Sequence, residues 1–237
     1  LTALPVQNTR GVRRIYPISV AAVAEQMEAI LEDIAPDAIK IGMVHTPELV
    51  ETIVHTLGKY KKCPLVFDPV MVASSGHRLI EEETVATIVE RLLPLADIIT
   101  PNMDEAAILT GLDVSTLADM HAAGARLKAM GCRTILLKGG HQETAAITSL
   151  FVDANHGVYP FETRKFNTKN THGSGCTLSS AIAAFLARGE TLLDAVRLSQ
   201  DYVYAAIDSG RDVLCGKGNG PLNHFFNPQK LIKYELV

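Results

Sequence analysis

The stretch Asn167 to Leu178, NTKNTHGSGCTL, is a polar loop punctuated by glycine that runs directly into an apolar helix. Glycines in such a loop let successive main-chain N–H groups converge at the helix N-terminus. With the helix dipole they make an anion site whose expected guest is phosphate. Gly173 and Gly175 frame the turn, and Cys176 falls in the first turn of the helix. There the dipole favours thiolate, a usable base or nucleophile. The plainer reading is a loop before a core helix with a buried cysteine. Glycine loops are common enough that spacing alone leaves both readings open.

Acidic groups supply the second constellation. In Thr100 to Glu105, TPNMDE, Asn102 followed three residues later by Glu105 forms a capping box, which is sufficient reason for both residues. Alternatively, a carboxylate at the carboxyl end of a strand can hold the water of Mg²⁺ beside a nucleotide phosphate. Asp68, followed by Pro69, Val70 and Met71, ends another apolar strand and invites the same two readings. Lys138 opens KGGH at the end of a further strand, where it either neutralises phosphate or lies solvated on the rim. Lys217, inside the glycine-rich segment CGKGNGP from Cys215 to Pro221, is a similar candidate, and Gly216 to Gly220 is a candidate lid from its flexibility.

Two nucleotide motifs fail on inspection. The run from Gly173 has Leu178 where GxGxxG needs its third glycine, and it arises late in the chain, so a Rossmann oxidoreductase is disfavoured. Lys217 is followed by Gly218 rather than Ser or Thr, so there is no Walker A loop. The histidines show no HExxH and no paired metal spacing, and are read as surface or structural.

These residues need a scaffold, and the periodicity supplies one. Ser19 caps a helix with apolar positions from Val20 to Ile34, Ala38 to Ile41 is a strand, and Thr46-Pro47 starts a helix running to about Tyr60. Pro64 to Asp68 is a strand, Glu82 to Leu93 a helix, and Asp97 to Thr100 a strand. Helices then run from Asn102 to Gly111 and from Ser115 to Gly131, and Arg133 to Lys138 is a strand. Short apolar strands between amphipathic helices predict a parallel sheet covered on both faces, with ligands at the carboxyl ends of the strands. Beyond Gly140 a hairpin is expected, Ser149 to Asp153 and Val158 to Phe161, followed by helices Ser174 to Arg188 and Thr191 to Ser209. Leu1 reads as the tail of a strand. No repeat or long linker divides the 237 residues, so one domain is expected.

Composition excludes several classes. A net charge of -4 without a basic stripe argues against nucleic acid as a partner, and no apolar run reaches the roughly 18 to 20 residues that span a bilayer. The first residues lack the basic and long apolar regions of a signal peptide, which reads as a cytoplasmic protein. Cys63, Cys132, Cys176 and Cys215 lie far apart without a CxxC pair, so most are read as buried thiols rather than zinc ligands or disulfides.

Taken in order, Q-N-T at Gln7 to Thr9, I-G-M at Ile41 to Met43, F-D-P-V-M at Phe67 to Met71, T-P-N-x-x-E at Thr100 to Glu105, K-G-G-H at Lys138 to His141, N-T-x-N-T-H-G-S-G-C at Asn167 to Cys176 and G-K-G-x-G-P at Gly216 to Pro221 span nearly the whole chain. The combination resembles the hydroxymethylpyrimidine and phosphomethylpyrimidine kinases of thiamine biosynthesis, in the ribokinase-like superfamily. The resemblance implies a three-layer αβα sandwich with a mostly parallel central sheet. It implies ATP- and Mg²⁺-dependent phosphorylation of 4-amino-5-hydroxymethyl-2-methylpyrimidine and then of its monophosphate, by a homodimer.

Position by position, the resemblance makes Gln7, Met43 and Val70 pyrimidine contacts, Gly173 and Gly175 the anion hole, and Cys176 the base. Asn102, Lys138, Thr171 and Lys217 become ATP or phosphate neighbours, and Glu105 with Asp68 the Mg²⁺ group. The family also has a first strand and a glycine-rich turn with an acidic substrate contact, for which the residues from Leu1 onward offer no counterpart. The resemblance therefore implies further residues upstream, without which the sheet lacks a strand and the pocket a wall. Two other readings stand beside this one: a pyridoxine, pyridoxal or pyridoxamine kinase with the same ATP half-site, and a non-catalytic ligand-binding protein on the same fold.

Overall fold

The computed structural model describes residues 1–60, 62–72, 80–140 and 146–230. Its first two strands, β1 (Ala3–Asn8) and β2 (Gly11–Pro17), form an antiparallel ribbon separate from the main sheet. The sequence reading missed this ribbon, and Leu1 precedes β1 rather than ending a strand. The reason is physical: Leu4, Val6 and Tyr16 are all exposed, so neither strand has the buried, alternating face by which strands are usually recognised. Pro5 is tolerated because each strand of a two-stranded ribbon keeps a free edge.

The alternation of helix and strand then follows as expected. Ser19 caps α1 (Val20–Asp33), its hydroxyl accepting from the Ala22 N–H at 3.3 Å. After β3 (Ile39–Ile41), Thr46 caps α2 (Pro47–Leu57), with proline in the first turn where its missing N–H costs nothing. β4 (Leu65–Phe67) is followed by α3 (Glu82–Thr87), which continues through a π-helical turn over Ile88–Leu92 and a 3₁₀ turn over Leu93–Leu95. β5 (Ile98–Ile99) leads into α4 (Met103–Thr110), which Gly111 ends in the left-handed region. Next come α5 (Leu117–Ala129), β6 (Ile135–Leu137), the hairpin of β7 (Ala146–Val152) and β8 (Val158–Arg164), α6 (Ser174–Ala187) and α7 (Leu192–Gly210).

The six strands of the main sheet lie in the order β3-β4-β5-β6-β7-β8. The first three pairings are parallel and the last two antiparallel. Alternate residues divide the core into two. Leu65, Phe67, Ile99, Ile135, Leu137, Leu150 and Val152 pack toward α1 to α5. Val66, Ile98, Leu136 and Phe151 pack toward Leu178, Ile182, Ala195 and Val196 of α6 and α7. This is a three-layer αβα sandwich with both faces of the sheet covered. Each buried Leu, Ile or Phe side chain contributes about 1.5–3 kcal/mol. No helix among the described residues is long and apolar enough to cross a membrane.

The strands are shorter than their apolar runs, but their pairing continues past their ends. Asp68 N donates to Ile41 O at 2.9 Å, Thr100 N to Phe67 O at 3.0 Å and Lys138 N to Pro101 O at 2.8 Å. Those hydrogen bonds align Asp68, Thr100 and Lys138 side by side at the carboxyl edge of the sheet.

Candidate active site

Asp68 is the anchor of that edge. It is almost completely buried, and both its oxygens are taken: Oδ1 accepts from Thr100 Oγ1 at 2.9 Å and Lys138 Nζ at 2.9 Å, and Oδ2 accepts from Ser179 Oγ at 3.1 Å. One carboxylate thus ties the ends of β4, β5 and β6 to the second turn of α6. Its protein partners leave Asp68 the task of holding Lys138, and Glu105 as the carboxylate better placed for a cation.

Lys138 is not on a solvated rim. Its side chain retains 14% exposure, and its ammonium lies 2.9 Å from Asp68 and 3.9 Å from Glu105. Burial alone pulls its pKa down, but Asp68 and then Glu105 outweigh that and hold it above the usual lysine value. Glu105 comes from the first turn of α4, where the expected capping box is fully formed: Asn102 N donates to Glu105 Oε2 and Glu105 N to Asn102 Oδ1, each at 2.8 Å. The capping box and the site are therefore one structure, and the cap fixes where Glu105 points. Burial pushes the Glu105 carboxyl up to about 7, although Lys138 and the Asn102 N–H draw it down.

The suitability of this edge for a divalent cation can be judged from charge. Asp68 and Glu105 bring two negative charges against the single positive charge of Lys138. Burial is the main reason the Glu105 carboxyl is raised to about 7, and with both carboxylates ionised the cluster is one positive charge short. Hard oxygen donors with that deficit suit Mg²⁺, which is usually held by one or two carboxylates together with water and substrate phosphates. Among the described residues, no three His, Cys, Asp or Glu side chains form a cage of protein ligands.

The loop expected to bind an anion, residues 167–173, arrives from the other side. Gly173, at φ +84°, turns the chain into α6, a conformation that a side chain would strain. At Gly175 a Cβ would sit 3.3 Å from Lys138 Nζ, so glycine lets the ammonium lie against the helix's first turn. A cation beside a helix N-terminus is unfavourable on its own. Asp68 and Glu105 hold it there, against the first turn of α6. Cys176 is exposed in that turn, on the same side as Lys138. The expectation that most cysteines are buried does not hold: Cys132 is buried, Cys63 is half-buried, and Cys176 and Cys215 are exposed.

The remaining candidates are distributed around this centre. Gln7, exposed on β1, points Nε2 to within 3.4 Å of His172 Nε2 in the anion loop. Met43 follows β3, its carbonyl accepting from Thr2 Oγ1 at 2.7 Å. Val70 is half-buried, its N–H donating to Asp68 O at 2.8 Å. Thr171 contributes its carbonyl to the Ser174 N–H at 3.1 Å and is otherwise exposed. The Lys217 side chain is exposed, and its loop is not a free lid, because the Lys217 N–H donates to Thr9 Oγ1 at 3.2 Å. His141 lies outside the described residues. A cavity of about 240 Å³, lined by Thr134, Phe151, Tyr159 and Leu192 among others, opens near the amino end of β6, away from this site.

Sequence reasoning missed three residues. Ser179 and Thr100 reach Asp68 from elements that no short motif connects to it. Asn170 is 7% exposed and donates from Nδ2 to Gly210 O and Val213 O, each at 2.7 Å, tying the anion loop to the end of α7. An asparagine inside that loop, three residues before Gly173, was the available signal.

A sequence profile described as phosphomethylpyrimidine kinase matches residues 1–223. A hydroxymethylpyrimidine/phosphomethylpyrimidine kinase of Staphylococcus aureus is 39% identical over 226 residues, 95% of this chain and 81% of that protein. The crystal structure of a phosphomethylpyrimidine kinase from Clostridium difficile 630 superposes with a TM-score of 0.75 at 38% identity, covering 87% of this chain and 84% of that one. A pyridoxal kinase from Staphylococcus aureus, in complex with AMP-PCP and pyridoxal, gives a TM-score of 0.84 at 28% identity over 94% of this chain and 80% of its own. The pyridoxal kinase thus has the higher TM-score of the two structures and the phosphomethylpyrimidine kinase the higher identity, so shape alone does not separate the two activities.

Proposed function

The chain belongs to the phosphomethylpyrimidine kinase family, and on that footing we propose that it works as one kinase domain transferring the γ-phosphoryl group of ATP to 4-amino-5-hydroxymethyl-2-methylpyrimidine and then to the resulting monophosphate. The observation that carries this reading is the convergence of Lys138, the Gly173–Gly175 turn and Cys176 at the carboxyl edge of the sheet. Phosphoryl transfer passes through a loose transition state, so most of the catalysis is positioning and neutralisation of charge.

In this reading Lys138 and the N–H groups of Gly175 and Cys176 face the transferring phosphoryl oxygens, and Asp68 keeps the ammonium charged and in place. Glu105, supported by its cap with Asn102, would hold Mg²⁺ through water, with Asp68 behind it. When bound, the ion neutralises charge on the phosphate oxygens. Cys176 Sγ, as thiolate, takes the proton that the hydroxymethyl group loses as its oxygen bonds to phosphorus. Gln7, Met43 and Val70 are read as the pyrimidine side, and Thr171 and Lys217 as outlying phosphate contacts. The homodimer remains part of the proposal, supported by apolar Leu4, Val6 and Tyr16 exposed on the ribbon.

The runner-up is a pyridoxal kinase, favoured by the TM-score of 0.84. A competition assay with Mg-ATP and both heterocycles tests the choice. A kcat/KM at least about tenfold higher for the pyrimidine is the expected result, equivalent to about 1.4 kcal/mol of transition-state binding. Preference for pyridoxal would replace the proposal with the runner-up.

A further inference from the structure

The segment Cys215 to Pro221 alternates glycine with other residues, and the sequence reading makes it a flexible phosphate loop. The structure gives its glycines a different reason. At Gly216, whose φ is +72°, a side chain would run into the Thr9 side chain, and at Gly218 it would run into the Thr9 carbonyl. At Gly220 it would run into the Asn170 side chain. Three glycines at alternate positions are therefore required by close approach to protein on both sides.

Hydrogen bonds hold the same arrangement. Thr9 Oγ1 accepts from the N–H groups of Lys217 and Gly218, both at 3.2 Å, and Thr9 O accepts from the Asn219 N–H at 2.8 Å. At the other end, Gly220 N donates to Lys169 O at 3.1 Å and His172 N to Gly220 O at 3.0 Å. The loop is a clasp. It joins the turn of the β1–β2 ribbon to the anion loop, and Gln7 stands two residues before Thr9 on that ribbon.

We propose that Thr9 is a positioning residue whose hydroxyl and carbonyl lock the ribbon to the anion loop, so that Gln7 keeps a fixed distance from the Gly173–Cys176 turn. This rests on the functional reading above, in which Gln7 meets the pyrimidine. The hydroxyl matters because it alone serves two N–H groups, and valine would have the same shape without the acceptor. Thr9 acts on the pyrimidine through Gln7, two residues away on the same ribbon, while Lys217 and Thr171 are only outlying phosphate contacts, so the main effect is expected on the pyrimidine.

The test is steady-state kinetics on the intact protein with the hydroxymethylpyrimidine and Mg-ATP, for wild type, Thr9→Val, Thr9→Ser and Gly218→Ala. Thr9→Val and Gly218→Ala are expected to raise KM for the pyrimidine about tenfold, the size expected for losing the hydrogen bonds to one hydroxyl, with KM for ATP within about twofold of wild type. Thr9→Ser, which keeps the acceptor, should restore wild-type values. A purely structural role would lower kcat through loss of active protein and leave both KM values alone; that result, or equal rises in both, overturns the proposal. Amide exchange at Lys217 and Gly218 in the unliganded protein separates this from the reading it rests on. Faster exchange in Thr9→Val supports the clasp even if wild type proves inactive on the pyrimidine, and unchanged exchange overturns it.

Discussion

Lys138 Nζ lies 2.9 Å from Asp68 Oδ1, and the two residues are separated by 70 positions in the chain. The pair joins the end of β6 to the end of β4 and places a largely buried positive charge against the N-terminal turn of α6. Breaking a buried ion pair from one side is costly because it strands the other charge. Here Lys138→Met would leave Asp68 and Glu105 as two carboxylates without their shared cation.

Lys138→Met is therefore expected to lower stability by about 3–5 kcal/mol, whereas Asp68→Asn combined with Lys138→Met should lose less than the sum of the two single changes by at least about 1 kcal/mol. Urea unfolding of the three variants measures this. Additive losses would mean that the two side chains do not sense each other.

Glu105 makes stability depend on pH in a direction opposite to that of most carboxylates. Its carboxyl is raised to about 7 in the folded protein, above the unfolded value, so the folded state binds the proton more tightly. Between pH 4.5 and about 7 stability therefore falls as pH rises, by on the order of 2–3 kcal/mol. Glu105→Gln keeps an acceptor for the Asn102 N–H and removes the charge. Without Mg²⁺ it should be more stable than wild type at pH 8 and similar at pH 4.5, while losing activity with Mg-ATP. Thermal unfolding at the two pH values checks the sign.

The two phosphorylations place unequal demands on Cys176. An alcohol must lose a proton to attack, whereas a phosphate monoester, with its second pKa about 6, is already largely dianionic at neutral pH. Cys176→Ala should therefore slow phosphorylation of the hydroxymethylpyrimidine by a factor on the order of 10²–10⁴ and affect that of the monophosphate much less. Equal losses in both steps would remove Cys176 from the role of base.

Asn170 supports the anion loop without facing it. Its Nδ2 serves the Gly210 and Val213 carbonyls, so Asn170→Ala would leave both acceptors without that donor. A loss of about 2–3 kcal/mol in urea unfolding is expected.

What could be read in advance follows from sequence distance. The strands β3 to β6 and the helices around them announced themselves through apolar periodicity. The turn into α6 was legible from Gly173 and Gly175 standing immediately before an apolar helix. The Asn102–Glu105 cap was legible because its two ends are three residues apart. The Asp68–Ser179 hydrogen bond joins residues 111 positions apart, and Thr9 meets Gly218 across 209, so neither leaves a local signature. The ribbon escaped because its apolar side chains face outward, and the close approach of the glycines at 216, 218 and 220 to Thr9 and Asn170 was hidden because close packing and loop flexibility call for the same residue.

The central claim is that the carboxyl edge of the sheet, built around Lys138, is where phosphate moves from ATP to a hydroxymethylpyrimidine. Following ³¹P NMR signals of wild type and Lys138→Met with Mg-ATP and that substrate tests it most directly. Wild type should produce the monophosphate and then the diphosphate as ADP accumulates, and Lys138→Met, checked for folding, should be slower by a factor on the order of 10² or more. Absence of transfer by wild type, or transfer at an undiminished rate by folded Lys138→Met, would contradict the account.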